Sequence, residues 1–293
     1  LCKVEMNNKM NYKSGFVTII GNPNVGKSTL FNNLLNYDLS IVTSKSQTTR
    51  NNIKGIITTD DYQIVLSDTP GHVESSYLLH NKMNKRIYSS LEASDLIIYV
   101  TDIFEKEINN GLIDAVNKLA IPIYFLVNKK DQLKGKDYES VIESSNFTDY
   151  EIVSFNDKKD CDSLLKKITK YLPNHNPYYS KDDLTDKSEK FLVSETIRRE
   201  IFELYQKEIP YSSHIEIESF KNEEKLLKIY CYIYVESESQ KMIILGKNGS
   251  KIKIIGTNSR MNIEKMYDKK VFLDLTVKVL KWRNNDKFLK NRY

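Results

Sequence analysis

Apolar positions follow two regimes along this chain. In the first half they come in short continuous runs, Phe16 to Ile20, Ile64 to Leu66 and Ile123 to Val127, each leading into a polar, turn-forming stretch. Runs of that length are the mark of strands buried on both faces of a parallel sheet. Leu30, Leu34 and Leu35 share one helical face just after the first run, and a further helix lies around Leu164 to Leu172. Strand and helix therefore alternate, which predicts an α/β domain, mostly parallel, with helices on both faces of its sheet.

Beyond about residue 188 the pattern changes. Ile197, Ile201 and Leu204 or Tyr205 mark a helix face, and residues 214–220 and 228–235 alternate as two strands. A helix with Met242, Ile243 and Leu245 stops at Gly246 and Gly249, and another starts at Ser250 carrying Ile252, Ile255 and Ile263. Val271, Leu273, Leu275, Val277 and Val279 then alternate with Phe272, Asp274, Thr276 and Lys278, predicting a strand with one wet face. This second half reads as an α+β domain.

Between the halves, Pro173, Asn174, His175, Asn176 and Pro177 end a helix, and the next ten residues are polar and charged. The expected layout is an N-terminal tail (1–13), a first domain (14–173), a linker (174–187) able to let the domains reorient, and a second domain (188–293). A length of 293 residues suits two such domains.

Chemistry enters at the end of the first apolar run. Gly21-Asn22-Pro23-Asn24-Val25-Gly26-Lys27-Ser28 and Thr29 form a glycine-rich turn opening into a helix. Such a loop points backbone N–H groups at phosphates, sends its lysine to the β and γ oxygens, and offers its serine hydroxyl to magnesium. The second run leads into Asp68-Thr69-Pro70-Gly71. Asp68 is the expected magnesium partner, and the Gly71 N–H is free to sense a γ-phosphate.

The third run ends in Asn128-Lys129-Lys130-Asp131, which decides the base. An aspartate accepts two hydrogen bonds from guanine's ring N–H and amine, whereas adenine leaves a carboxylate unpaired. Asn128 is expected to tie this loop to the phosphate loop, and the Lys129 stem to lie along the purine. The polar stretch Ser44 to Asn52, containing Gln47-Thr48-Thr49-Arg50, reads as a switch loop. Thr49, in preference to Thr48, is expected to complete the magnesium shell only when a γ-phosphate is present. Lys27, Thr49 and Gly71 are thus the catalytic candidates, and Ser28, Thr49 and Asp68 the metal ligands.

In this order G-N-P-N-V-G-K-S-T-L, Q-T-T-R, D-T-P-G and N-K-K-D resemble the Era family of GTPases, and the likeness runs from Gly15 to Tyr293. The second half matches the order of a type II KH domain, whose G-x-x-G loop clamps single-stranded nucleic-acid backbone. Gly246, Lys247, Asn248 and Gly249 would form that loop, with Lys251 and Lys253 adding charge and Ile252 or Ile255 an apolar contact. The resemblance implies a GTP/GDP-binding, magnesium-dependent GTPase that binds the single-stranded 3′ end of small-subunit ribosomal RNA and assists small-subunit maturation as a monomer. It also implies a potassium ion held through Asn24.

The resemblance implies slow intrinsic turnover, accelerated by RNA or ribosome. A cytoplasmic location follows, with peripheral association on the inner face of the membrane as the family's further trait.

Two departures from the family are visible. The base-contact segment, expected as Ser-Ala, is Ser154-Phe155-Asn156, so Phe155 must point away for its N–H to reach the guanine carbonyl. His72 follows a loop one residue shorter than the family's and is a weak candidate for general base. These departures leave open a non-hydrolysing RNA-binding protein, and a membrane-associated cell-cycle switch is the other alternative.

Net charge of +5 is modest for an RNA binder, but Lys247, Lys251, Lys253, Lys278, Lys281, Arg283 and Lys287 gather in the second domain, an expected electrostatic footprint. Cys2, Cys161 and Cys231 suggest neither a disulfide framework nor a zinc site, and no apolar run approaches the roughly 18 residues of a membrane span.

Overall fold

The computed structural model describes residues 12–43, 45, 48–71, 77–105, 110–133 and 150–290. These form two compact units, one of residues up to 71 with Met83–Asp186, the other of 77–82 with Lys187 onward.

Strands β1 (Lys13–Gly21), β2 (Ile53–Thr58), β3 (Tyr62–Asp68), β4 (Leu96–Asp102), β5 (Ile123–Asn128) and β6 (Tyr150–Ile152) make a sheet in the order β2-β3-β1-β4-β5-β6. Only β2 runs antiparallel. The parallel strands all end on one edge, so Gly21, Asp68, Asp102 and Asn128 are brought together there, where ligands of open α/β sheets bind. Helices α2 (Leu78–Glu92) and α3 (Asn110–Asn117) bury Ile87, Leu91, Leu112 and Val116 against Ile20, Ile97, Tyr99 and Phe125. On the opposite face α1 (Lys27–Leu35) packs with α4 (Lys158–Tyr171). Gly55 of β2 lies under α1 so closely that a Cβ there would stand 2.3 Å from Leu35 Cδ1.

The segment expected as a linker is bound along this unit as far as Asp186. The Ile56 N–H donates to the Leu184 carbonyl (2.9 Å), and the Thr185 hydroxyl donates to the Lys54 carbonyl (2.6 Å). Gln63, fully buried, accepts from the Tyr178 and Tyr179 N–H groups (2.7 and 3.0 Å) and donates to the Tyr179 carbonyl (2.9 Å). Polar composition here does not mean a free chain; it supplies the hydrogen bonds that an edge strand needs.

In the second unit β7 (His214–Asn222), β8 (Leu226–Val235) and β9 (Lys270–Val279) form a sheet, β7 antiparallel and β9 parallel to β8. Parallel pairing requires a crossover, supplied by α7 (Glu238–Leu245), the glycine loop and α8 (Ser250–Tyr267). Helix α5 (Glu189–Leu204) completes the core, where Val193, Ile197 and Ile201 meet Ile229, Ile233, Ile255 and Ile263. Short helices α6 (Ile209–Ser212) and α9 (Asp286–Lys290) flank it, and the buried Trp282 indole donates to the Ser212 carbonyl (2.8 Å).

Gln63→Ala removes three part-buried hydrogen bonds to the Tyr178 and Tyr179 backbone of the strap. It should lower unfolding stability by roughly 1–3 kcal/mol in urea titration, and a loss under about 0.5 kcal/mol would contradict a structural clasp at Gln63.

Candidate functional sites

The phosphate loop is shaped by backbone that only certain residues adopt. Gly21 (φ 142°) and Gly26 (φ 103°) lie at positive φ, and Asn24 is left-handed (φ 67°). A Cβ on Gly21 would stand 2.0 Å from the Val100 carbonyl oxygen, and one on Gly26 2.3 Å from Asn128 Nδ2. Both glycines are therefore fixed by close approach as well as by dihedral angle. Lys27 folds back over the loop and donates to the Gly21 (3.0 Å) and Asn22 (2.6 Å) carbonyls. Burial pushes its ammonium down to about 8, while Asp68 and Glu105 favour the charged form.

Asp68 collects three hydroxyls on one carboxylate oxygen: Ser40 at 2.7 Å, Ser28 at 2.8 Å and Thr49 at 3.2 Å, with Ser28 and Thr49 themselves 3.0 Å apart. Its Oδ1 is buried without a hydrogen-bond partner. Burial raises the Asp68 carboxyl, and the hydroxyls and Lys27 pull it down. Hydroxyl and carboxylate oxygens around an unsatisfied buried oxygen fit a hard divalent cation such as magnesium. Of the two threonines, Thr49 is the one brought to this cluster. Thr69 turns inward to donate to the Ile19 carbonyl (2.7 Å), fixing the turn through Pro70. Gly71 passes so near Pro23 that its Cβ would stand 3.0 Å from Pro23 Cγ. Thr29 and Thr48 line the same cleft as Lys27, Ser28 and Gly71. Ser44, Ser46, Gln47 and His72 lie outside the described residues.

The base-binding elements are joined by side-chain hydrogen bonds. Asn128 Nδ2 donates to the Val25 carbonyl (2.8 Å), tying its loop to the phosphate loop, while the Val25 side chain is buried. The Ser154 hydroxyl donates to Asp131 (2.7 Å). Lys129, left-handed at φ 67°, pairs with Asp102 and lies 5.2 Å from the Phe104 ring centre. Phe155 does point away: its ring is buried beneath Gly26, and its carbonyl accepts from Asn33. Its N–H donates to Asn128 Oδ1 (3.1 Å), and Asn156 beside it is exposed.

In the second unit Gly246 (φ 70°), Asn248 (φ 53°) and Gly249 (φ 74°) carry the loop into α8. Lys247, Asn248, Lys251 and Lys253 are exposed, and Ile252 is half-buried. Ile255 is fully buried in the core, so it offers no apolar surface to a base and Ile252 is left for that contact. The charge footprint narrows at Arg283, which is paired with Glu236 (2.6 Å) and Glu208 (3.5 Å), while Lys278 over Tyr232 and Lys251 over Tyr205 stay exposed cations.

Three residues beside the nucleotide site had not been expected. Ser40 has no sequence signal. Asp102 ends the apolar run Leu96 to Val100 as Asp68 ends its own, and Glu105 follows it. Among the described residues no other cluster of metal-ligating side chains occurs, and Cys161 and Cys231 are buried free thiols.

A family model described as 50S ribosome-binding GTPase matches residues 16–129, and one described as KH domain matches 208–283. GTPase Era of Thermoanaerobacter sp. (strain X514) is 40% identical over 96% of this chain and 96% of its own length, and GTPase Era of Clostridium kluyveri 41% identical over 95% and 98%. A crystal structure of Era in complex with MgGDPNP and nucleotides 1506–1542 of 16S ribosomal RNA covers 95% of this chain and 98% of its own, at 32% identity and a TM-score of 0.88. An Aquifex aeolicus Era variant bound to GDP·AlF4− gives a TM-score of 0.87 at 32% identity. With motifs, fold and length in agreement, the chain belongs to the GTPase Era family.

Proposed function

We propose that this protein is a GTP-hydrolysing switch that binds small-subunit ribosomal RNA near its 3′ end and assists assembly of the small ribosomal subunit. The observation that carries the reading is a phosphate-and-magnesium site built around Asp68, in a chain that also presents an exposed Gly-Lys-Asn-Gly loop at a helix start. A relative that binds MgGDPNP and 16S ribosomal RNA nucleotides together supports it.

Phosphoryl transfer is chiefly positioning and charge stabilisation. Lys27 exchanges its two loop carbonyls for the β and γ phosphate oxygens, and the amides of Asn24 to Ser28 face the same oxygens. Magnesium, held by Ser28 and Thr49 with Asp68 behind them, supplies neutralising charge when bound. Thr49 and the Gly71 N–H report the γ-phosphate, and Thr49 leads through Arg50 into β2. There the strap 174–186 is hydrogen-bonded, so a change in the switch segment reaches the chain leading to the KH domain. Asn128, Asp131, Ser154 and the backbone at Phe155 and Asn156 select guanine. Backbone at Gly246 to Gly249, with Lys247, Lys251 and Lys253, clamps RNA phosphates while Ile252 meets a base.

Asn24 is proposed to help hold a potassium ion between the phosphates, taking the role an arginine finger has elsewhere. A cytoplasmic setting agrees with the free buried thiols.

Gly249→Asp places a carboxylate where phosphates are clamped. A Cβ there meets only Ile252 Cγ2, at 3.9 Å, so the cost is confined to backbone strain of about 1–2 kcal/mol at φ 74°. A short RNA copying the 3′ end of small-subunit ribosomal RNA should stimulate GTP turnover of the wild type and leave Gly249→Asp at its unchanged basal rate. Turnover indifferent to RNA in both proteins would contradict the coupling. Basal hydrolysis should also be several-fold faster in potassium than in sodium, and Asn24→Ala should lose that difference; equal rates in the two salts would dismiss the potassium site.

A further inference from the structure

The pattern of apolar positions left Leu204 and Tyr205 as alternatives for the end of the α5 face, and the two have different fates. Leu204 packs at the edge of the core, whereas Tyr205, which caps the end of α5, is only 3% exposed. Its side chain reaches across to α7, where the hydroxyl donates to the Ile244 carbonyl at 2.7 Å in a buried bond. Ile244 lies fully buried in the last turn of α7, where carbonyls lack N–H partners further along the helix. The Met242 carbonyl in that turn accepts the Gly246 N–H (3.0 Å), and Ile244 accepts from a side chain 39 residues earlier. Burial pushes the Tyr205 phenol up to about 12, so the hydroxyl keeps the proton it donates.

Two residues past Ile244 the chain enters the glycine loop. Gly246 turns out of the helix at φ 70°, and the Gly249 N–H donates to the Gly246 carbonyl (3.2 Å) before α8 begins. Lys251, in the first turn of α8, folds its stem against Gly246 so closely that a Cβ on Gly246 would stand 2.8 Å from Lys251 Cγ. The Lys251 ammonium lies 5.1 Å from the centre of the Tyr205 ring, and the residue is exposed. A cation over an aromatic face keeps its charge while its position is restricted. One buried side chain thus meets both ends of the loop, the α7 end through its hydroxyl and the α8 end through its ring.

We infer that Tyr205 is a positioning residue for RNA binding: its hydroxyl fixes the end of α7 from which the Gly246–Gly249 loop springs, and its ring holds the Lys251 ammonium at the start of α8. This role rests on the reading of that loop as the clamp for RNA phosphates. Tyr205 acts through the loop and Lys251, since its own ring is buried. A loop shaped before RNA arrives spares the cost of ordering it on binding, so loss of the hold is felt in RNA affinity and not in RNA-free GTP turnover.

The test follows a short fluorescent RNA copying the 3′ end of small-subunit ribosomal RNA by anisotropy, with the protein saturated in a non-hydrolysable GTP analogue. It compares wild type with Tyr205→Phe, Tyr205→Leu, Lys251→Ala, the Tyr205→Leu/Lys251→Ala pair and Gly249→Asp. RNA-free GTP hydrolysis and thermal unfolding are recorded for each. Tyr205→Phe, which keeps the ring, should weaken RNA binding about fivefold, as loss of one neutral hydrogen bond implies. Tyr205→Leu, which loses both contacts, should weaken it about twentyfold, and Lys251→Ala about tenfold. Because Tyr205→Leu already releases Lys251, the pair should stay within about threefold of Tyr205→Leu, far from the roughly two-hundredfold of independent losses. RNA-free hydrolysis should stay within about twofold of wild type in both Tyr205 variants. Wild-type RNA affinity in Tyr205→Phe, losses that multiply in the pair, or RNA-free hydrolysis that falls along with RNA affinity in the Tyr205 variants would overturn the inference. Gly249→Asp separates this role from the reading beneath it. Binding lost there, with the Tyr205 variants at wild-type affinity, sinks the positioning role alone; undiminished binding by Gly249→Asp takes RNA away from the loop and overturns both. Should Tyr205→Leu fail to fold, Tyr205→Phe decides: about fivefold weaker RNA binding at wild-type RNA-free turnover supports the role, and any other result refutes it.

Discussion

One buried carboxylate organises the nucleotide site. Asp68 cannot remain charged inside the first unit unless groups around it replace water, and three hydroxyls from different segments do so: Ser28 at the start of α1, Ser40, and Thr49 in the switch segment. A single oxygen atom thereby joins the start of α1, the end of β3 and the residues Ser40 and Thr49. The other oxygen stays unpaired. That leftover capacity fits a hard divalent cation.

The same economy of contacts recurs where base and phosphates are read together. Gly26 leaves room for Asn128 and Phe155, and Asn128 bonds both the Val25 carbonyl and the Phe155 N–H. Phosphate loop and base loop are therefore tied to each other through one side chain. Phe155 stands in a position expected to hold a small residue, yet its ring fills space beneath Gly26 instead of entering the site. A larger side chain is accommodated because the packing direction, not its size alone, decides what a ligand meets.

Much of this was legible in the chain. Glycine loops, acids at strand ends and the Asn-Lys-Lys-Asp run announce themselves because each needs fixed residue types at fixed spacing, and the alternation of β9 shows directly in its exposed Phe272, Asp274, Thr276 and Lys278. Strands β2 and β4 were less legible, since Ile53–Thr58 lacks a motif and Leu96–Asp102 is an apolar run that periodicity cannot distinguish from a buried helix segment. The strap at 174–186 reads as a linker by composition, because side-chain polarity does not reveal that Gln63, over a hundred residues earlier, satisfies its backbone. Ile252 and Ile255 looked equivalent; only the orientation of α8 on the sheet separates surface from core. Ser40 reaches Asp68 through tertiary proximity and leaves no local pattern.

In the proposed switch, RNA and nucleotide are read by one linked chain, with Thr49, β2 and the strap between them. The most direct measurement is the affinity of a fluorescent RNA copying the 3′ end of small-subunit ribosomal RNA, taken with the protein saturated in turn with a non-hydrolysable GTP analogue and with GDP, magnesium present throughout. RNA should bind more tightly in the GTP-analogue state, and by linkage the RNA should favour that nucleotide by the same factor. Equal RNA affinity in the two states would contradict the proposed switch.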